Sequence, residues 1–122
     1  MDYEYDALAD ALSIYMANVD EYEEAIELNK NSYLHFDDDF KPVELEILDA
    51  TKVLNIDKLG LKRIKDIALK ILISDDKIHV NCEILIPSRN NQKLRSANSV
   101  VDNNIKAPPL NLELSTAKKK RG

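Results

Sequence analysis

Leu34-His35-Phe36-Asp37-Asp38-Asp39-Phe40-Lys41-Pro42-Val43-Glu44-Leu45-Glu46-Ile47-Leu48 holds two alternating apolar runs on either side of an acidic turn. Successive side chains of an extended strand point to opposite faces. Once the chain folds back at Asp37 to Asp39, Leu34 and Phe36 therefore share a side with Val43, Leu45 and Ile47. That is a β-hairpin with one apolar and one polar face. Pro42 has no N–H to give a ladder, so it belongs at the start of the second strand. Asp49 follows as the N-cap of a short helical turn through Leu54.

Toward the N-terminus, residues 6–16 fit two periods. Leu8, Ala11, Leu12 and Tyr15 make a helical stripe, whereas Leu12, Ile14 and Met16 line one face of a strand. Residue propensities lean slightly to helix. Asn18 to Glu24 is rich in carboxylates and keeps no apolar period. It reads as a solvated connection into one strand from about Ala25 to Phe36.

Beyond Asn55, Leu59, Leu61 and Ile64 sit among Lys58, Lys62, Arg63 and Lys65, which suits a short amphipathic helix despite Gly60. Ile67, Leu69, Ile71 and Ile73 then alternate with Ala68, Lys70, Leu72 and Ser74. After a turn at Asp75-Asp76 the alternation resumes at Ile78, Val80, Cys82, Ile84 and Ile86. Residues 61–73 fit either one continuous helix or a helix followed by a strand. We favour the strand from Ile67, because isoleucine is β-branched and the segment past the turn has a clean period of two. Pro87 is expected to end that strand and Ser88 to Gln92 to turn. Lys93 to Val101 returns as a further strand, Asp102-Asn103-Asn104 and Pro108-Pro109 mark a loop, and Leu110, Leu112 and Leu114 form a last edge strand.

Neither half carries much apolar surface alone. The expected fold class is therefore α+β, mainly antiparallel β-sheet built from two hairpin-containing halves, with one or two short helices. Residues 1–55 form the β-rich half, residues 56–115 the helix-plus-hairpin half packed in the same domain, and residues 116–122 a basic flexible tail. A chain of 122 residues, 44% hydrophobic and 32% charged, is long enough for one such domain. No run approaches the roughly 18 apolar residues of a spanning helix, and Met1-Asp2-Tyr3-Glu4 lacks the basic start of a signal peptide. A cytoplasmic protein with no membrane partner is expected. The single cysteine, Cys82, is in phase with Ile78, Val80 and Ile84 and reads as core instead of reactive thiol.

Tyr5-Asp6, Asp10-Ala11-Leu12 with Ile14, Asp37-Asp38-Asp39, and Glu46-Ile47-Leu48-Asp49-Ala50-Thr51 follow a pattern of an acidic-Ala-Leu strand and an acidic hairpin. On these residues the stretch from Tyr3 to Leu54 resembles a short prokaryotic family, the domain of unknown function numbered 2283. The resemblance implies that Asp10 to Met16 is a strand. It also implies an antitoxin-like role, because such proteins are thought of as companions of small toxins. Phe40 and Glu44 stand where that pattern usually has glycine, and Ala7 and Ser13 replace a proline and a tyrosine. Left-handed backbone strains a bulky residue, so Phe40 predicts a longer loop around Phe40 and Lys41.

No spacing marks a catalytic centre. His35 and His79 fall on polar strand faces with no H-x-x-x-H, cysteine pair or Gly-rich loop near them, and the serines sit in no nucleophile elbow. Asp37, Asp38 and Asp39 lack the spaced ligands, glycine and final glutamate of a calcium loop, so they read as a solvated turn. A non-enzyme without cofactor or metal is expected. Edge-prone strands point first to a protein–protein interaction module that takes a protein partner or a second copy. The formal net charge of −5 hides a basic cluster. The alternative is therefore a nucleic-acid-associated accessory protein, binding weakly through Arg89, Lys93, Arg95 and the tail Lys118, Lys119, Lys120 and Arg121.

Overall fold

The computed structural model describes residues 1–18 and 21–116. Its fold is α+β, with two antiparallel sheets and two short helices. The first sheet holds β1 (Asp2–Asp6), β2 (Ala11–Tyr15), β3 (Glu24–Asn29), β4 (Ser32–Phe36) and β5 (Pro42–Ile47), in the order β1-β2-β5-β4-β3. After α1 (Ala50–Leu54) and α2 (Lys58–Leu61) comes the second, with β6 (Asp66–Ile73), β7 (Lys77–Ser88), β8 (Asn91–Asp102) and β9 (Leu110–Ser115) in the order β8-β7-β6-β9. Among the described residues no helix is long and apolar enough to cross a membrane.

Period-two alternation gives each sheet one apolar face, and the two faces meet in a single core. Leu12, Ile14, Leu34, Phe36, Leu45 and Ile47 come from the first sheet, and Ile67, Leu69, Ile71, Ile73, Ile78, Val80, Cys82, Ile84 and Ile86 from the second. Leu54, Ile56, Leu61 and Ile64 close the side from the helical connection. Burial pushes the Cys82 thiol up to about 12, with a smaller push from Glu83. It stays protonated and behaves as a small apolar side chain.

Several sequence expectations are corrected in detail. The helical lean for residues 6–16 fails because β2 pairs with both β1 and β5, burying Leu12 and Ile14. Leu8, which a helical stripe would bury, is 96% exposed in the β1–β2 turn. The single strand foreseen from Ala25 to Phe36 is a hairpin: β3 and β4 reverse at Lys30-Asn31, where the Asn29 side chain accepts the Asn31 N–H at 2.9 Å. Pro87 lies inside β7 instead of ending it. It sits past Leu85, the last β7 residue paired with β6, so its missing N–H costs no bond to that strand.

The acidic turn also differs from expectation. Phe40 does adopt left-handed backbone, with φ 57°. The Asp37 carboxylate organises the loop by accepting the N–H groups of Asp39 at 2.9 Å and Lys41 at 3.0 Å. Phe40 in turn packs against the core. Local hydrogen bonds and ring burial together hold a conformation that costs about 1–2 kcal/mol for a residue with a Cβ.

α1 starts after Asp49, as read, but Asp49 is itself left-handed and its side chain caps nothing. Asp10 does the capping from the β1–β2 turn. Its carboxylate accepts Thr51 Oγ1 at 2.6 Å and the Thr51 N–H at 3.2 Å, and its carbonyl accepts the Ala50 N–H at 3.0 Å. Tyr5 donates its hydroxyl to the same carboxylate at 2.8 Å. Burial by itself would raise the Asp10 pKa, but the hydrogen bonds from Thr51 and Tyr5, with the Lys58 charge, hold it below the usual carboxylate range. The Tyr5 hydroxyl is pushed up to about 12 by burial and by Asp10.

α2 is capped locally, the Asp57 carboxylate accepting the Gly60 N–H at 2.7 Å. A Cβ at Gly60 would lie 2.7 Å from Ile56 Cγ2 and 3.2 Å from Ile86 Cδ1, so α2 sits on β7 with no room for a methyl. On propensity alone Gly60→Ala would stabilise the helix by about 1 kcal/mol. We expect the opposite sign, a loss of about 1–3 kcal/mol by overpacking, read from urea unfolding. A neutral or more stable variant would show that α2 is not seated as described.

Candidate functional site

Two of the cations named from the sequence come together. Lys93 and Arg95 share one side of β8, opposite Ile86 and Ile84 of β7, and Arg89 occupies the β7–β8 turn. Arg89 and Lys93 line a groove of about 430 Å³ with Asn55, Asp57, Gly60 and Arg63. Arg63 was not singled out from the sequence, because it read as the polar side of a helix. Arg95 lies beside the groove, donating Nε–H to the Asn55 carbonyl at 3.2 Å. Among the described residues Arg63, Arg89 and Lys93 have no carboxylate partner, and Asp57 is turned to Gly60. Lys118, Lys119, Lys120 and Arg121 lie outside the described residues.

A polar cluster missed in the sequence lies on the outer face of the first sheet. His35 is the cross-strand partner of Glu44, and Tyr33 that of Glu46. Tyr22, from the connection after β2, donates its hydroxyl to Glu44 and lays its ring 4.9 Å from that of His35, centroid to centroid. His35 Nε2 is 3.1 Å from Glu46 Oε1. Glu44 is thereby only 6% exposed, although alternation places it on a solvated face. The sequence clue was the lone aromatic residue in an otherwise acidic connection. The hydrogen bond to Glu44, then burial, raise the Tyr22 pKa well above its ordinary value of 10.0.

Ligand atoms of His35, Glu44 and Glu46 lie within 4.8 Å of one another, as do those of Asp37, Asp38 and Asp39. The first set has the chemistry to hold a divalent cation. In the second, Asp37 already serves its own loop.

One side of β8, at one edge of the second sheet, has no strand partner among the described residues. The Leu85 carbonyl accepts from Lys65 and the Asp76 carbonyl from Asn103. Odd-numbered residues of β7 therefore face β6 and even-numbered ones face β8. Their β8 partners are odd-numbered, so Gln92, Leu94, Ser96, Asn98, Val100 and Asp102 direct their N–H and C=O groups away from β7. Among the described residues no strand pairs there. On the outer face of the same strand Leu94 is 54% and Val100 59% exposed.

Comparison with protein-family models, with curated proteins and with solved structures finds no match.

The Tyr22–Glu44 bond is testable. Tyr22→Phe leaves a buried carboxylate without its donor and should cost about 1–3 kcal/mol. In the native chain the contribution of Tyr22 is complete below pH 10.0 and lost as pH rises through the higher folded pKa. Alkaline unfolding curves should therefore converge for the native and Tyr22→Phe chains. Parallel curves with no offset at neutral pH would show that the bond contributes nothing.

Proposed function

We propose that this protein is a small, non-catalytic protein–protein interaction module that binds by strand addition at β8. The observation that carries the reading is the unpaired side of that strand, 12 residues long and paired throughout with β7 on its other side. An added strand would satisfy its outward N–H and C=O groups and cover Leu94 and Val100. An antitoxin-like role in the cytoplasm, which the resemblance of the first half suggests, is compatible with such an edge. Main-chain pairing gives affinity while side-chain contacts choose the partner.

Ser96→Pro tests the mode of binding. It deletes one outward N–H and leaves the bonds to β7 intact, so circular dichroism should be unchanged. Complexes seen by sedimentation of the native chain, alone or with a protein purified beside it, should weaken at least tenfold. A complex that survives Ser96→Pro would overturn strand addition.

A second reading is favoured by one observation, the convergence of Arg63, Arg89 and Lys93 on a single groove in a chain of net charge −5. Unpaired cations gathered in this way suit phosphate, and the protein would then be a nucleic-acid accessory factor with weak, salt-sensitive binding. Anisotropy of labelled single- and double-stranded oligonucleotides at low salt should show binding that Arg89→Ala with Lys93→Ala removes. Binding unaltered by the double substitution, or none at all, would dismiss this reading.

A further inference from the structure

We infer that the strand added at β8 is the β8 of a second copy of this chain, paired antiparallel about a two-fold axis at Ala97. This rests on the strand-addition reading and names its partner.

The register follows from backbone phase and side-chain chemistry. Hydrogen-bonded pairs across the new edge must join residues with outward backbone groups, which are the even-numbered positions 92 to 102. A two-fold axis at Ala97 meets that condition, setting Leu94 opposite the partner's Val100, Ser96 opposite the partner's Asn98, and Gln92 opposite the partner's Asp102. The two most exposed apolar side chains of the strand, Leu94 and Val100, thus cover each other twice over, and the two central pairs are polar and uncharged. Moving the axis by half a residue opposes even-numbered with odd-numbered positions and breaks the phase. Moving it one residue keeps the phase but opposes Leu94 with Asp102 or with Asn98.

Charge points the same way. Lys93 and Arg95 lie in the first half of β8, and Asp102 closes the second. Antiparallel pairing runs the basic half of one strand along the neutral and acidic half of the other. Parallel pairing in register would instead stack Lys93 on Lys93 and Arg95 on Arg95, a like-charge arrangement that destabilises neighbouring strands. The antiparallel pair is isologous and closes after one addition, giving one continuous eight-stranded sheet in the order β9-β6-β7-β8-β8-β7-β6-β9.

Chains with one added cysteine read this register directly, because the native Cys82 is buried and protonated and gives no background. Under mild oxidation an equimolar mixture of Leu94→Cys and Val100→Cys chains should form a disulfide-linked pair, whereas either chain alone should stay at least tenfold less cross-linked. Adding Ser96→Pro to both should abolish the link. Sedimentation of the native chain at about 100 μM should give a dimer that Leu94→Lys with Val100→Lys converts to monomer. A native dimer without the mixed cross-link would place the interface elsewhere and overturn the inference. A native monomer would overturn the second copy as occupant, while a different protein lost on Ser96→Pro would leave strand addition standing.

Discussion

Each sheet has one apolar face, and neither face can be covered except by the other. That constraint dictates most of what this chain does. It fixes the register of the nine described strands, since a slip of one residue would turn Leu34, Leu45, Ile71 or Ile84 to water and bring neighbours such as His35, Glu44, Lys70 or Glu83 inward. It also fixes the job of the short connection between the sheets. α1 and α2 are too short to be stable alone, and they persist because Ala50, Leu54, Ile56 and Leu61 seal the open side of the layered core. With both apolar faces used up, everything available for recognition is an outer face, a loop groove or a strand edge.

Reversing direction this often normally calls for glycine, and this chain has two in all. Its six left-handed positions among the described residues are Asp10, Phe40, Asp49, Asn55, Asn90 and Lys106. Four of these are Asp or Asn, which tolerate that backbone better than other side chains. Asp10 turns the tolerance into a structural tie. The same residue that bends β1 into β2 presents its carboxylate to Thr51 and so fastens the first hairpin to α1 across 41 residues of sequence. Phe40 and Lys106 have no such chemical excuse. At Phe40 ring burial and the Asp37-centred loop supply the compensation.

Alternation made the sheet legible, and it was most reliable where both neighbours of a strand were also sheet. Leu69, Ile71, Ile78, Val80 and Ile84 could be placed on the inner face from the sequence because β6 and β7 are central strands with no irregularity. The reading weakened where period-two was broken. β3 carries a register shift between Glu27 and Asn29, which hid the reversal at Lys30-Asn31. β1 is mostly exposed, so its five residues leave little periodic trace. Sites were harder still. Arg63 and Lys93 are 30 residues apart and share a groove only because α2 packs beside β7, and Tyr22 reaches Glu44 by folding back over two strands. No local pattern encodes either contact. Asp49 misled for a different reason: it had the right residue type for a cap, but the capping carboxylate came from a distant turn.

The four edges are not equally exposed to pairing, and the differences explain why β8 stands out. β1 has only five residues, and Tyr3, its second, reaches across to the Ile64 carbonyl. β3 is interrupted by its register shift, a local twist that spoils a template. β9 has six residues and follows directly on Pro108-Pro109, which can offer no N–H for a longer edge. β8 is twice that length and pairs with β7 through twelve successive residues without a bulge. It keeps charge only toward its ends, Lys93 and Arg95 on one side and Asp102 on the other, while Ser96 to Val101 carries none. Strands that must stay single are blunted along their middles by charge, proline or a bulge. An edge without a bulge and neutral at its centre, with charges of opposite sign at its two ends, lacks the devices that blunt the other three.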